Sequence, residues 1–301
     1  MSSATQPQLQ QLIAMQHQAA ALAVRHKHIR SAMSGAHVSR LRGRGMEFDE
    51  VRLYQPGDDA GSIDWKVTAR KGKPHVKLYR EERERPVLIA LDYRKSMFFA
   101  SQGALKSVVA TNIAALLAWH GVQHGDRLGG LWFSDHGHAE MKPMRGRKGV
   151  LSFLYQCAHA PVWQKPVQTA EPGISLSETT RRLRHVARHG SLIYILSDFR
   201  GFNQQAIADL AQLARHNDVV LISVFDALER SFPASGVYPV FDGQQYFTVH
   251  ASPELRQQMQ ARFQAHQRQL QDLQRKYGLF HFEVGTHELI SDVVRERLWS
   301  I

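Results

Sequence analysis

The chain has 301 residues, of which 43% are hydrophobic and 22% charged, and its formal net charge is +11. This size and composition are typical of a globular protein with one large domain or two smaller ones. A single cysteine, Cys157, excludes an internal disulfide framework, and no apolar run approaches the roughly 20 residues that a membrane-spanning helix needs. Because the N-terminus is also a poor signal peptide, we expect a soluble, cytoplasmic protein.

The first third of the chain predicts a helix followed by a small β-rich region. Apolar residues at helical spacing in a Gln-rich segment predict a helix over residues 8–30. Residues 35–86 alternate turn signals with strand patterns such as "FDEVRLY" and "HVKLYRE", and we expect Trp65 to be their apolar anchor. Ion pairs across these short strands are expected between arginines and acids that include Arg52, Arg70, Asp58, Asp59 and Asp64.

From residue 87 onward, strand patterns alternate with helix patterns. Residues 87–92, "VLIALD", form a continuous apolar run that is typical of a strand buried on both faces. Further strands are predicted at 127–133, 191–199, 219–226 and 279–284, a hairpin at 236–250, and helices at 103–119, 148–159, 204–215, 252–278 and 287–298. This alternation predicts an α/β domain with a mostly parallel sheet and helices on both faces.

Three regions follow from these patterns. We assign residues 1–34 to an N-terminal helical extension, residues 35–86 to a small β-rich subdomain, and residues 87–301 to the α/β domain. In open α/β sheets, ligands bind at the carboxyl ends of the strands. Candidate functional residues are therefore sought where the predicted strands end.

Two carboxylates and two hydroxyls stand at predicted strand ends. Asp92 ends the first strand of the α/β domain and is followed by Ser96, while Ser197 and Asp198 end another strand. Oxygen ligands of this kind suit a hard cation such as Mg²⁺. The sequence therefore offers Asp92, Ser96 and Asp198 as a possible magnesium site.

Two cations beside Asp92 favour a different interpretation. Arg94 and Lys95 would compete with a divalent ion, and either could form an internal pair with Asp92 or Asp198. Strand-end acids also commonly cap the N-termini of helices. If Arg94 has replaced a metal ion, its guanidinium could instead bind the carboxylate of a partner.

The clearest unbalanced basic run is "RRLRHVARH", residues 181–189, which predicts one basic helix face. An acidic protein partner explains this run as well as nucleic acid does, and no zinc-finger, KH or RRM signature is present. No nucleotide-binding fingerprint or evident general base supports an enzyme, so a metal-dependent hydrolase ranks last. The residues of this basic surface are Arg181, Arg182, Arg184 and Arg188.

A long block of sequence carries a family resemblance. "SRLRGRGMEFDEVRLYQPGDDAGSIDWKVTAR", residues 39–70, followed by "YREERERPVLIALDYRKSM", resembles the bacterial domain-of-unknown-function-58 family. The resemblance implies a von Willebrand factor A-like domain with a metal-ion-dependent adhesion site, whose first motif is DxSxS. By position, Asp92 matches the Asp and Ser96 the second Ser, Arg94 replaces the first Ser, and Asp198 resembles the later acidic position. The threonine ligand of that site cannot be placed.

The resemblance also implies partners. It associates the chain with MoxR-type AAA+ ATPases and with other von Willebrand factor A-like proteins, and it places the chain among the short members without membrane helices. We therefore expect a non-enzymatic adaptor that offers Asp92, Arg94, Lys95, Ser96 and Asp198 to a protein partner, with no cofactor or at most Mg²⁺. Nucleic-acid binding through the basic surface is the alternative.

Overall fold

The computed structural model describes residues 4–23, 46–81, 85–164, 174–241 and 245–298. The chain forms two compact units, one of residues 27–84 and one of residues 1–26 together with 85–301. The smaller unit contains a two-stranded sheet, whereas the larger contains a six-stranded sheet and a separate two-stranded sheet.

The helices and strands of the described residues follow one another in a fixed order. They are α1 (Leu9–Ala23), β1 (Met46–Leu53), α2 (Trp65–Lys71), β2 (His75–Glu81), β3 (Pro86–Asp92), α3 (Lys106–Gln123), β4 (Arg127–Ser134), β5 (Gly137–Arg145), α4 (Gly146–Ala158), α5 (Leu176–Val186), β6 (Leu192–Ser197), α6 (Gln204–Ala214), β7 (Asp218–Phe225), α7 (Ala227–Arg230), β8 (Gly236–Phe241), β9 (Tyr246–Ala251), α8 (Pro253–Tyr277), β10 (Phe280–Gly285) and α9 (Ile290–Val293).

The smaller unit confirms both predicted strands, because β1 and β2 pair antiparallel. It also contains α2, a helix that the sequence patterns did not predict. The side chain of Asp64 caps α2 by accepting from the backbone N–H groups of Lys66 and Val67, and Gly72 ends the helix at a φ of 68°. The prediction that Trp65 is an apolar anchor is wrong, because its side chain is 71% exposed.

The six-stranded sheet confirms the predicted α/β architecture. Its strand order is β10-β7-β6-β3-β4-β5, and all neighbours are parallel except β5, which runs antiparallel to β4. The sequence did not reveal β5, because this edge strand is only partly buried and contains Pro143 within a weak apolar pattern. Two neighbouring inner strands carry the predicted acids: Asp92 ends β3, and Asp198 follows the end of β6. The inner strand β7 lies next to β6.

The core has two halves, one on each face of the sheet. Along β3, Val87, Ile89 and Leu91 belong to one half, and Leu88 and Ala90 belong to the other. The first half includes residues of α1, α3 and α4, and the second includes residues of α5, α6 and α8. Helices therefore cover both faces, as the continuous apolar run at residues 87–92 predicts.

Several predicted boundaries differ from the observed ones. The long helix α8 is confirmed with Ser252 as its N-cap and Gly278 as its C-cap. The hairpin is confirmed as β8 paired with β9, although its predicted turn lies outside the described residues, as does the predicted end of the first helix. The predicted final helix is shorter, because α9 has four residues and a π-helical turn, Val294–Leu298, follows it.

Helix α1 packs against α3 through both apolar and polar contacts. Leu12 and Ala19 are completely buried in the core half that contains α3. The indole Nε1–H of Trp119 donates to the backbone oxygen of Leu12 at 3.0 Å, and the side-chain amide of Gln123 donates to the backbone oxygen of Gln16 at 3.2 Å. This weakly apolar helix is therefore held by a few well-placed contacts.

We predict that Leu12→Ala lowers the free energy of unfolding of the larger unit by about 2–4 kcal/mol, since it opens a cavity against α3. The matched control is Leu289→Ala, which shortens a side chain that is 71% exposed and should change the free energy by less than about 0.5 kcal/mol. Urea unfolding of both variants measures the difference. Equal losses in the two variants would contradict the packing of α1 described above.

Candidate functional site

The carboxyl ends of three neighbouring parallel strands each carry a buried acid. Asp92 ends β3, Asp198 follows the last residue of β6, and Asp226 follows the last residue of β7. Their exposed fractions are 0%, 6% and 0%. Because parallel strands end at the same edge of a sheet, these carboxylates lie in the region where such folds bind ligands.

Asp92 is paired internally with Arg94. The guanidinium Nε–H is shared between the two carboxylate oxygens at 3.0 and 3.1 Å, and Nη2 donates to Oδ2 at 2.6 Å. The backbone N–H of Arg94 and the hydroxyl of Ser197 also donate to this carboxylate, at 2.9 and 2.6 Å. Complete burial raises the pKa of Asp92, while the bonds from Arg94 and Ser197 oppose that shift.

Asp198 is paired internally with a lysine that the sequence patterns did not single out. Lys106 is the first residue of α3, its side chain is completely buried, and its Nζ donates to Asp198 Oδ2 at 3.0 Å. The same ammonium donates to Glu229 Oε1 at 2.8 Å. Arg200 extends the cluster, because its backbone N–H donates to Asp198 at 3.1 Å and its Nη2 to Glu229 at 2.6 Å.

The charges around Asp198 determine its protonation. Burial raises the pKa of this carboxyl, but the ammonium of Lys106 and the bonds from Arg200 N–H and the Ser96 hydroxyl outweigh burial, so the pKa lies below its ordinary value of 3.8. Asp198 is therefore ionised at neutral pH. The Lys106–Asp198 pair is an ion pair shielded from water.

The structure brings together four of the five residues predicted for this site. Asp92, Arg94, Ser96 and Asp198 are linked through the contacts above, with Arg94 Nη2 3.9 Å from Asp198 Oδ1. Lys95 differs, because its side chain is exposed at the surface and its backbone N–H donates to Asp135 Oδ2 at 2.6 Å.

Sequence reasoning missed Lys106, Arg200 and Glu229. One sequence signal could have identified Lys106: a cation in the first turn of a helix opposes the helix dipole and needs a compensating acid. The compensating acids are 92 and 123 residues away along the chain, so their identity required the fold.

The third strand-end acid, Asp226, is a structural cap. It accepts from the backbone N–H and the hydroxyl of Ser101 at 2.8 and 2.6 Å, from the backbone N–H of Leu228 at 3.0 Å, and from the hydroxyl of Thr286 at 2.7 Å. With Glu229 it also forms the capping box that begins α7. Its acceptor positions are therefore occupied by the protein itself.

The donor set at this edge of the sheet does not fit Mg²⁺. The two carboxylates that would ligate the ion are neutralised by Arg94 and Lys106, and a divalent ion would have to enter beside both cations. Across the described parts of the chain, no group of three or more His, Cys, Asp or Glu side chains has a metal-binding arrangement. The pairing with Arg94 and Lys106 disfavours the site of Asp92, Ser96 and Asp198, which stays a prediction.

The contacts of Arg94 argue against its predicted role as a receptor for a partner's carboxylate. Its guanidinium binds Asp92 through Nε and Nη2, and Nη1 donates to the backbone oxygen of Arg200 at 3.0 Å. Only 15% of the side chain is exposed. Arg94 therefore binds groups inside the protein. Lys95 and Arg200 are cations of this edge that are exposed.

The predicted basic surface on α5 is largely neutralised. Arg181 and Arg182 pair with Glu178, Arg182 also pairs with Glu140 at 2.8 Å, and Arg184 pairs with Asp209 at 2.7 Å. The fourth member, Arg188, is exposed beyond the end of the helix. Three of the four predicted contacts for a polyanion are therefore committed to carboxylates of the same protein.

Fold and site together define an α/β protein whose strand-end carboxylates are neutralised by its own cations. The chain belongs to the family described as "Protein of unknown function DUF58", which residues 50–271 match.

Two curated relatives are the uncharacterized proteins Rv1480 of Mycobacterium tuberculosis and Mb1516 of Mycobacterium bovis, each 30% identical over 204 residues. That match covers 68% of this chain and 62% of each relative, so the chain spans less than two thirds of their length.

Three solved structures resemble the chain at low sequence identity. The conserved hypothetical protein BatB from Bacteroides thetaiotaomicron is 12% identical, with 72% of this chain and 98% of that chain covered at a TM-score of 0.43. An aerotolerance-related membrane protein from Bacteroides fragilis is 13% identical, with 71% of this chain and 98% of that chain covered at a TM-score of 0.40. An uncharacterized membrane spanning protein from Vibrio fischeri is 14% identical, with 69% of this chain and 94% of that chain covered at a TM-score of 0.24.

The descriptions of these structures correct one prediction. Two of the three are described as membrane proteins, so the cytoplasmic location predicted from the sequence is not upheld and is withdrawn. Within the described ranges, no helix of this chain is both long enough and apolar enough to cross a bilayer.

We predict that Lys106→Met lowers the free energy of unfolding by about 3–5 kcal/mol, because it leaves Asp198 buried without its closest counter-charge. The matched control is Lys148→Met, which removes an exposed lysine on α4 and should have an effect below about 0.5 kcal/mol. The double variant Lys106→Met with Asp198→Asn should recover part of the loss, as measured by urea unfolding. A Lys106→Met protein as stable as the control would contradict a buried ion pair between Lys106 and Asp198.

The penalty of Lys106→Met should also depend on pH. In the wild-type protein the folded pKa of Asp198 is depressed, so the stability gained from its ionised form is present above pH 3.8 and is lost as pH falls through the folded value. Without Lys106, the largest contribution that opposes burial is gone, so the pKa of Asp198 rises and its neutral form is favoured. The stability difference between wild type and variant should therefore shrink between pH 7 and pH 3, and a constant difference would contradict this electrostatic origin.

Proposed function

We propose that this protein is a non-enzymatic interaction protein that acts as an adaptor with a MoxR-type AAA+ ATPase in the maturation or remodelling of other proteins. One observation carries the proposal: the strand-end carboxylates, which a catalytic or metal site would need free, are bound by Arg94 and Lys106. Membership of DUF58 supports the proposal through the resemblance to proteins associated with such ATPases.

A finer assignment of the fold belongs to the same proposal. We propose that the larger unit is a von Willebrand factor A-like domain with a degenerate metal-ion-dependent adhesion site. Support comes from Asp92 at the end of a central strand and from Ser96, whose hydroxyl bonds to Asp198, so that residues at the motif positions lie close together. The departure from the motif is Arg94, which adds a cation where the motif has a serine.

The partner would meet the outer side of this edge. Lys95 and Arg200 are exposed there, and Arg200 is also anchored to Glu229 inside the cluster. A partner with an acidic surface would complement these cations, and other von Willebrand factor A-like proteins remain candidates alongside the ATPase. Because the buried cations are covalently part of the chain, a contact at this edge would not require a dissociable ion.

Two other functions are less well supported. Nucleic-acid binding through α5 would need arginines that are paired with Glu178, Glu140 and Asp209. A metal-dependent hydrolase would need the carboxylates that Arg94 and Lys106 neutralise, together with a free general base near them.

We predict that affinity capture of the tagged full-length protein from its own cells recovers an AAA+ ATPase equally in Mg²⁺ and in EDTA. Lys95→Glu should reduce the recovered ATPase at least several-fold, since it reverses an exposed charge at the proposed contact. Lys148→Glu makes the same charge change on α4 and should leave recovery unchanged. Quantitative mass spectrometry of the captured proteins measures both.

Two results would count against this proposal. Loss of the ATPase in EDTA alone would restore a metal-dependent contact despite Arg94 and Lys106. Capture without any AAA+ ATPase, under conditions in which the ATPase is expressed, would remove the proposed partner.

A further inference from the structure

Helix α2 of the smaller unit presents an exposed tryptophan among exposed cations. Trp65 is 71% exposed, and the side chains of Lys66, Arg70, Lys71 and Lys73 are exposed as well. We call these five residues the Trp65 surface. They lie within nine consecutive positions of one unit, so the surface is formed by local structure alone.

The helical geometry puts the indole and two cations on one face. At about 100° per residue, positions 65, 66, 69 and 70 span an arc of about 140°. The intervening Val67 and Thr68 are partly buried and face the interior of the unit. Gly72 then ends the helix in a left-handed conformation, and Lys73 follows directly.

The positive charge of the Trp65 surface is not neutralised by acids of the described residues. Within the described residues, no ion pair involves these four cations, although the sequence predicted one for Arg70. The nearby acids are used elsewhere: Asp64 caps α2 and pairs with Lys77 at 3.4 Å, and Asp58 pairs with Arg52 at 2.7 Å.

Helix stability explains only part of this arrangement. Arg70 and Lys71 lie in the last turn, where cations interact favourably with the helix dipole. Lys66 lies in the first turn, where a cation is unfavourable, and Lys73 lies beyond the helix. An exposed tryptophan likewise gains nothing from folding, because burial is the main source of its stabilising effect.

We propose that the Trp65 surface binds single-stranded nucleic acid, with a base stacked on the indole of Trp65 and phosphates held by the surrounding cations. Aromatic platforms flanked by positive charge bind single strands in this way without strong sequence preference. The proposal goes beyond the adaptor function and concerns the other unit of the chain.

The composition of the surface favours this partner over two others. Three of the four cations are lysines, which are depleted at protein–protein interfaces but neutralise phosphates effectively. Binding to a lipid surface scales with the apolar area that enters the membrane, and a single indole beside Ala69 supplies little. A single strand offers both an anionic backbone and a flat ring for stacking.

The test uses the full-length protein and a fluorescein-labelled 20-nucleotide oligo(dT), with fluorescence anisotropy as the readout. We expect saturable binding and, with about two to four phosphates neutralised, a slope of log affinity against log salt between about −1.4 and −2.8. Binding should also quench tryptophan fluorescence. Trp65→Ala should weaken binding about tenfold or more and abolish most of the quenching, given typical stacking energies.

Matched variants separate the Trp65 surface from the general positive charge of the protein. Lys66→Glu with Arg70→Glu should weaken oligo(dT) binding at least tenfold. Arg256→Glu with Arg262→Glu makes the same charge change on exposed positions of α8 and should weaken it less than threefold. Tyr155→Ala, which removes a side chain that is 56% exposed on α4, should have no effect.

Three outcomes would overturn the proposal. They are absence of oligo(dT) binding at 50 mM salt, equal losses in the two double variants, and Trp65-dependent binding to poly-glutamate or to phosphatidylserine vesicles without binding to oligo(dT). Circular dichroism checks that each variant is folded, and the salt dependence and quenching of the wild-type protein test the proposal without any substitution.

Discussion

The buried ion pair between Lys106 and Asp198 is the constraint on which this edge of the sheet depends. A lysine with no exposed surface is costly to desolvate, and only direct contact with carboxylates can offset that cost. Asp198 and Glu229 provide the contact, and they fix the start of α3 against the ends of β6 and β7. Arg94 does the same for Asp92 at the end of β3. The ligand-binding edge of the fold is thereby filled by side chains of the protein itself.

This arrangement changes how the edge could be regulated. A bound divalent ion can leave, so a site that depends on one responds to the ion's concentration and to chelators. The ammonium of Lys106 is attached to the chain and remains paired as long as the protein is folded. Control of any interaction here must therefore come from the exposed residues, such as Lys95 and Arg200, or from the partner.

The sequence was sufficient for the architecture because strand and helix periodicities alternate clearly after residue 87. The rule that ligands meet strand ends also brought Asp92, Ser96 and Asp198 together correctly. The sequence could not reveal the partners of Lys106, which are far away in the chain, or β5, whose pattern is weak at a half-exposed edge. Trp65 was misassigned for a related reason: hydrophobicity predicts burial on average, whereas the position of a residue on a short helix decides its exposure.

The most direct measurement is a crystal structure of the full-length protein grown with millimolar Mn²⁺, with anomalous difference density calculated near the ends of β3 and β6. Internal neutralisation predicts no anomalous peak within coordination distance of Asp92 or Asp198, and it predicts the ammonium of Lys106 between Asp198 and Glu229. A manganese peak ligated by Asp92 or Asp198, with Arg94 or Lys106 displaced, would contradict the claim that the protein's own cations occupy this site.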